Sequence, residues 1–360
     1  MNTSKLKSTL KRVAAANRPE LADLEYLLGL TDDRELALVY QYADEVRAQY
    51  CGSGIWLRGV VEFSSYCRNN CLYCGLNAGN KDLPRYRLNA EEILAAAEQI
   101  AGGAIKTIVL QSGEDPELDP LWLRDLIIKI KSRFDLAVTL SVGERSRQDY
   151  YLWRAVGADR YLLKIETSDR KLYESLHPDM SFTQRLRCLG ELKDLGYQVG
   201  SGNIVGLKGQ SLKQIARDIL FFQENDFDMI GIGPFIPHQA TALAAESKAD
   251  LQLTLKTLAL TRIVTKNTYL PATTALGSLG ADYRREGLKA GANVLMPNFT
   301  PQPYRKYYEI YPGKRCINEN AGDCGPCMEI MAGQINRNID YSVGHTLKRG
   351  GEHGQKGTNY

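Results

Sequence analysis

From Arg58 onward the chain repeats one rhythm, a short β-branched run followed by a longer helical pattern, about eight times. The runs are RGVVEFSS at Arg58, KTIVLQSG at Lys106, LAVTLSVG at Leu136, RYLLKIE at Arg160, QVGSGNIVG at Gln198, MIGIGPFI at Met229, LPATTAL at Leu270 and NVLMPNFT at Asn293. Alternation of strand and helix implies a parallel sheet, because parallel neighbours need a crossover that a helix usually supplies. Eight units, with no G-x-G-x-x-G turn after the first strand, predict an α/β protein with a (β/α)8 TIM-type barrel; a doubly wound sheet is the alternative. Helix starts are marked by Asn89 with Glu92, Ser181 with Gln184 and Ser211 with Gln214, each a polar cap with a partner three residues on. Gly-Ala steps at 103–104, 157–158 and 291–292 are expected to close three helices, with the glycine in the left-handed conformation.

Ahead of the barrel, Asp32 with Glu35 caps a helical pattern that Gly52 and Gly54 end. The expected division is 1–54 as an N-terminal helical extension, 55–310 as the barrel, 311–340 as a Cys-rich segment and 341–360 as a Gly-rich, flexible tail. A chain of 360 residues buries enough surface to fold without disulfide staples. Eight cysteines, no signal-peptide pattern and no apolar run of membrane-span length predict a reducing, cytoplasmic setting without membrane contact. Lys and Arg number 45 against 42 acids, with neither sign in a block, which argues against a nucleic-acid surface and for a small-molecule partner.

Active groups of such barrels collect where strands end. Those positions are polar here: Gln111, Ser112 and Glu114; Thr139 and Ser141; Glu166 and Thr167; Ser201 and Asn203; His238; Thr273 and Thr274; Asn298 and Thr300. Directly after the first strand, CRNNCLYCGL places Cys67, Cys71 and Cys74 within eight residues. Structural zinc would require a distant fourth donor, for which His177 and His238 are candidates. A [4Fe–4S] cluster takes one thiolate per iron, so three thiols leave one iron open to another ligand.

The C-x3-C-x2-C triple with Tyr73 before its last Cys resembles the signature of radical S-adenosylmethionine (SAM) enzymes. That resemblance implies that SAM fills the open position through its amino and carboxylate groups. It further implies that Ser112, Gly113 and Glu114, in QSGE, bind the SAM amino group. Glu166 would take the ribose hydroxyls, Arg185 the SAM carboxylate and Ile204, in GNIVGLKG, the adenine. Within the superfamily, CRNNCLYCGLNAGN, KTIVLQSGED, NDFDMIGIGPFIPH, PATTALG and YPGKRC look like the HydE family of [FeFe]-hydrogenase maturases, from about residue 20 to 335. The implied activity is reductive cleavage of SAM to a 5′-deoxyadenosyl radical that acts on a small cysteine-bound iron carbonyl and cyanide complex.

By the same resemblance Gln111, Thr139, Arg160, Thr273, Thr274 and Tyr311 line the substrate cavity, with Tyr308 on the SAM side. Lys164 departs from the family, where an Arg is expected; it keeps the charge and loses the bidentate fork. Cys316, Cys324 and Cys327 resemble an auxiliary iron–sulfur site not required for turnover, and zinc completed by His345 is the rival. A one-electron donor such as ferredoxin or flavodoxin, partnership with other hydrogenase maturases and a monomeric state are also implied. A mutase or sulfur-insertion enzyme like 3-methylornithine synthase or biotin synthase, and a non-enzymatic iron–sulfur or zinc scaffold, are the other readings. Cys188 is expected in the core, and Cys51 has no assigned role.

Overall fold

The computed structural model describes residues 3–319 and 324–348, without the side chain of Cys324. The strands are β1 (Gly54–Leu57), β2 (Gly59–Ser64), β3 (Thr107–Ser112), β4 (Ala137–Ser141), β5 (Ala158–Leu162), β6 (Gln198–Val205), β7 (Met229–Pro234), β8 (Val294–Leu295) and β9 (Asn338–Asp340). β2 to β7 form a six-stranded sheet in sequence order, and every pairing in it is parallel. Residues 269–271 continue it through parallel bridges from Met229 to Tyr269 and from Pro271 to Val294. β8 then pairs in parallel with β1, and Val60 of β2 bridges Asn298. The ring therefore closes with eight staves, each on one of the runs singled out in the sequence.

The elements follow from local chemistry. Asn89 with Glu92 and Ser211 with Gln214 form reciprocal capping boxes, whereas Ser181 only accepts from the backbone N–H of Gln184. Gly157 and Gly291 take the left-handed conformation as expected, but at the first Gly-Ala step it is Ala104 that does so, at φ +58. The N-terminal region forms three helices, Thr3–Ala15, Leu21–Leu28 and Asp33–Cys51. Their buried faces, with Leu6, Leu24, Leu36 and Val39, share one apolar core with the barrel. That core includes Cys188, and Cys51 accepts a hydrogen bond from Arg262 Nη1 at 3.1 Å.

The C-terminal end departs from expectation. β9 pairs in parallel with β1, and residues 342–348 run under the N-terminal ends of the strands as a strap. Trp56 Nε1 donates to Ser342 Oγ at 3.0 Å, Thr107 Oγ1 to the Val343 carbonyl at 3.1 Å and Tyr269 Oη to the His345 carbonyl at 3.1 Å. Thr346 N donates to Gln198 Oε1 at 2.9 Å. The segment read as a flexible tail is thus packed as far as Lys348; the rest of that reading, 349–360, lies outside the described residues.

Candidate active site

The loop between β2 and the helix Ala90–Gly102 carries the first cysteine triple. Arg85 clasps it: Nη1 donates to the carbonyls of Ser65 at 2.5 Å and Leu76 at 3.0 Å, and Nη2 to those of Asn77 at 2.7 Å and Asn80 at 3.1 Å. Two glycines let backbone approach where no side chain fits. A Cβ at Gly113 would lie 2.2 Å from the Tyr66 carbonyl and 2.9 Å from Cys67 Cβ, and one at Gly75 2.2 Å from the Glu309 carbonyl. The end of β3 and the segment 309–310 are thereby pressed against the two sides of the loop.

Cys67, Cys71, Tyr73 and Cys74 form one wall of a cavity of about 300 Å³ at the barrel mouth. Burial pushes the Cys71 thiol up to about 12 and raises the Cys67 and Cys74 thiols as well, so a cationic centre is needed to hold them as thiolates. Among the described residues no three His, Cys, Asp or Glu groups are placed to hold a single ion; a cubane, by contrast, takes one thiolate at each iron. Nor does either candidate histidine offer an uncommitted lone pair to zinc. His177 Nδ1 donates to the Tyr173 carbonyl and Nε2 accepts from Tyr73 Oη, both at 2.7 Å. Burial lowers His177 to about 4, which keeps the ring neutral and this tautomer in place. His238 Nδ1 accepts from Ala240 N at 3.0 Å.

Ser112, Glu114, Glu166, Arg185 and Ile204 share that cavity with the thiols. Ser112 Oγ donates to the Gly113 carbonyl at 2.6 Å. Glu114 accepts from Arg68 Nε at 2.7 Å and from Glu144 N at 2.8 Å, so both of its oxygens already brace the rim. Glu144, which the sequence reading passed over, also meets Arg185 Nε at 2.6 Å in a buried ion pair. Arg185 donates in addition to the Lys164 carbonyl. Burial opposes its charge, but Tyr173, Glu144 and Glu114 hold the guanidinium well above its ordinary value. Glu166 Oε2 contacts Lys164 Nζ at 2.9 Å and has no hydrogen-bond partner otherwise, leaving acceptor capacity toward the cavity. The signal that could have found Glu144 is its place just after β4, beside Gly143.

Of the residues expected on the substrate side, Gln111 and Tyr311 line the cavity, with Lys164, Phe235, Ile236 and Ile310. Tyr308, expected on the SAM side, does not line the cavity; it stands buried behind Gln111, its hydroxyl accepting from Gln111 Nε2 at 3.3 Å. Thr273 donates to the Ile232 carbonyl at 3.2 Å, and Thr274 is half-buried with its carbonyl bound by Ser278 Oγ; neither lines the cavity. Thr139 lies two residues below Ser141 on the same inward face, its hydroxyl buried without a partner. Arg160 is a correction. It faces inward from the middle of β5 but toward the N-terminal ends of the strands, where it donates to Gln198 Oε1, Thr107 Oγ1 and the carbonyls of Val343 and Gly344 at 3.0–3.2 Å. Two positions along a strand keep a side chain on one face and move it about 7 Å in depth, enough to carry Arg160 from the mouth to the floor.

The second triple is only partly described. Cys316 is half-buried and Cys327 exposed, both near Arg284, which pairs with Asp282 at 2.6 Å; the Cys324 side chain lies outside the described residues. His345 does not serve as a fourth ligand there. Its Nδ1 accepts from Gln198 Nε2 at 2.8 Å on the barrel floor.

Residues 61–222 match the model of the radical SAM superfamily. The [FeFe] hydrogenase maturase subunit HydE of Thermotoga maritima is 48% identical over 314 residues, 87% of this chain and 90% of that protein. 3-Methylornithine synthase of Methanosarcina acetivorans is 31% identical over 275 residues, 76% of this chain and 77% of that one. Among solved structures, methylornithine synthase (PylB) superposes with a TM-score of 0.80 at 25% identity, covering 92% of this chain and 97% of its own. HydG, a maturase of the [FeFe]-hydrogenase, shares the fold at 18% identity with a TM-score of 0.80, covering 95% and 77%. The family implies a [4Fe–4S] cluster and SAM, and the soft donors and the acids around one cavity suit both. The chain belongs to the radical SAM superfamily, as an enzyme in the family of the hydrogenase maturase subunit HydE.

Proposed function

We propose that the barrel mouth holds a [4Fe–4S] cluster on Cys67, Cys71 and Cys74 with one iron open to SAM, and acts on a small cysteine-bound iron carbonyl and cyanide complex during hydrogenase cofactor assembly. The carrying observation is that three thiols, Glu166, Arg185 and Ile204 share one cavity with Gln111 and Tyr311. When bound, the cluster and SAM supply one-electron cleavage of the sulfonium to a 5′-deoxyadenosyl radical. The protein orients and shields. Glu166 offers a carboxylate to the ribose diol, Ile204 an apolar face to the base and Arg185 a charge to the SAM carboxylate. Tyr73 closes the cluster side, held by His177. Gln111 and Tyr311 meet the substrate, and the barrel wall keeps water from it.

Lys164 provides the charge that an anionic complex needs, and its contact with Glu166 links the substrate side to the ribose side. In this reading the protein works as a cytoplasmic monomer, takes single electrons from a ferredoxin or flavodoxin and works with other maturases; Cys316, Cys324 and Cys327 carry an auxiliary cluster dispensable for turnover. The 31% identity to 3-methylornithine synthase supports a second reading, an amino-acid mutase. The deciding experiment gives anaerobically reconstituted, dithionite-reduced protein SAM with either the iron complex or free α-amino acids. SAM turnover that alters the complex and leaves amino acids intact is expected; rearrangement of an amino acid with an untouched complex would overturn the substrate assignment.

A further inference from the structure

Behind the nucleoside end of the cavity lies a buried carboxylate that the mechanism above does not use. Asp218, on the helix Leu212–Glu224, is fully buried. Its Oδ1 accepts from Ser168 N at 2.6 Å, Ser168 Oγ at 2.7 Å and Thr167 Oγ1 at 3.5 Å. Its Oδ2 accepts from Asn203 Nδ2 at 3.0 Å. Thr167 and Ser168 directly follow Glu166, and Asn203 directly precedes Ile204. One carboxylate therefore ties the chain just past the ribose acid to the chain just before the adenine-side residue.

The backbone at that junction is under tension. Glu166 sits at φ +61, a left-handed conformation that costs a non-glycine residue energy and persists only where its surroundings enforce it. The enforcing bonds are Glu166 N to the Gly202 carbonyl at 3.0 Å, Ile204 N to the Glu166 carbonyl at 3.1 Å and the Asp218 network on both flanks. Burying a carboxylate is expensive unless its hydrogen bonds are met, and burial does push Asp218 up to about 6 against the pull of its four donors. An apolar residue would join helix to loop without that cost, but would leave Ser168 and Asn203 unfastened.

We propose that Asp218 is a positioning residue for the nucleoside of SAM, holding Glu166 and Ile204 in the register that turns the carboxylate to the ribose diol and the apolar side chain to the base. The inference rests on the SAM reading of this cavity, and Asp218 does not itself line it.

Two substitutions separate positioning from bulk stability. Asp218→Leu keeps the branched outline, with bulkier methyls, and removes every acceptor. Asp218→Asn keeps an acceptor for Ser168, and its amide can donate to Asn203 once that side chain turns over its Oδ1, which has no partner. The readouts are the SAM dissociation constant by calorimetry on cluster-loaded protein, the iron content and the melting temperature without SAM. Asp218→Leu is expected to weaken SAM binding at least about tenfold, ~1.4 kcal/mol, with iron content unchanged, while Asp218→Asn stays within about threefold. Ser168→Ala, which removes one bond to the same oxygen, decides the matter if the leucine variant does not fold, and is expected to cost about threefold. A lowered melting temperature with unchanged SAM affinity in these variants overturns the inference. Failure of the wild-type protein to bind SAM would instead sink the reading beneath it.

Discussion

Two ends of one barrel use buried polar groups in opposite ways. At the floor, every nitrogen of the Arg160 guanidinium is engaged by protein, through Gln198, Thr107 and the strap carbonyls. At the mouth, Glu166 keeps an oxygen whose one contact is Lys164, and three thiols stand together with raised pKa values. A polar group whose bonds are all met by its own chain adds order; one left with bonding capacity in a cavity is prepared for a ligand. The contrast matches the general division of labour in these barrels, chemistry at the C-terminal ends of strands and stability at the N-terminal ends.

Substitutions at the two ends should therefore separate activity from stability. Cys71→Ala carries the largest effect: loss of all SAM-dependent product, with less iron after reconstitution and an unchanged melting temperature before it. Next comes Glu166→Gln, expected to weaken SAM binding about tenfold, ~1.4 kcal/mol, without destabilising the fold, as read by calorimetry and thermal melting. Arg160→Leu should do the reverse. It removes four hydrogen bonds at the floor and takes away the donor that holds the Gly344 carbonyl, at about 2–4 kcal/mol of stability by urea titration, while SAM affinity stays at the wild-type value. Equal losses of affinity in both variants would erase the distinction between mouth and floor.

The mildest effect concerns Tyr73 and His177. Burial holds the folded His177 near 4, below its ordinary value, so between pH 6.5 and 4 the unfolded chain binds a proton that the folded chain does not. The His177 contribution to the unfolding free energy should then fall as pH drops through that window, while Asp218, pushed up to about 6, contributes with the opposite sign between pH 6 and its ordinary value. His177→Gln should remove the first contribution and so raise the stability at pH 4 relative to that at pH 7 compared with wild type, and an unchanged pH–stability curve in that variant would show that His177 does not titrate as described.

The barrel was legible because each stave is a β-branched run bounded by helix signals, and the cysteine triple because its spacing fell directly after the first run. Depth along a strand was not. Arg160 and Lys164 share the inward face of one run, and periodicity alone cannot say that the first reaches the floor and the second the mouth. The strap was hidden for a different reason: SVGHTLK reads as polar tail, and what orders it lies far away in sequence at Trp56, Thr107, Arg160 and Gln198. Arg85 and Glu144 belong to no motif. Their roles come from carbonyls and an arginine gathered by the fold.

The central claim, that the mouth binds SAM at a cluster held by the first triple and cleaves it, is tested most directly by 5′-deoxyadenosine formation. Protein reconstituted anaerobically to full cluster content, reduced with dithionite and given SAM should yield 5′-deoxyadenosine and methionine, and Cys71→Ala should yield neither. A fully loaded wild-type protein that forms no 5′-deoxyadenosine, or a Cys71→Ala variant that still does, would contradict it.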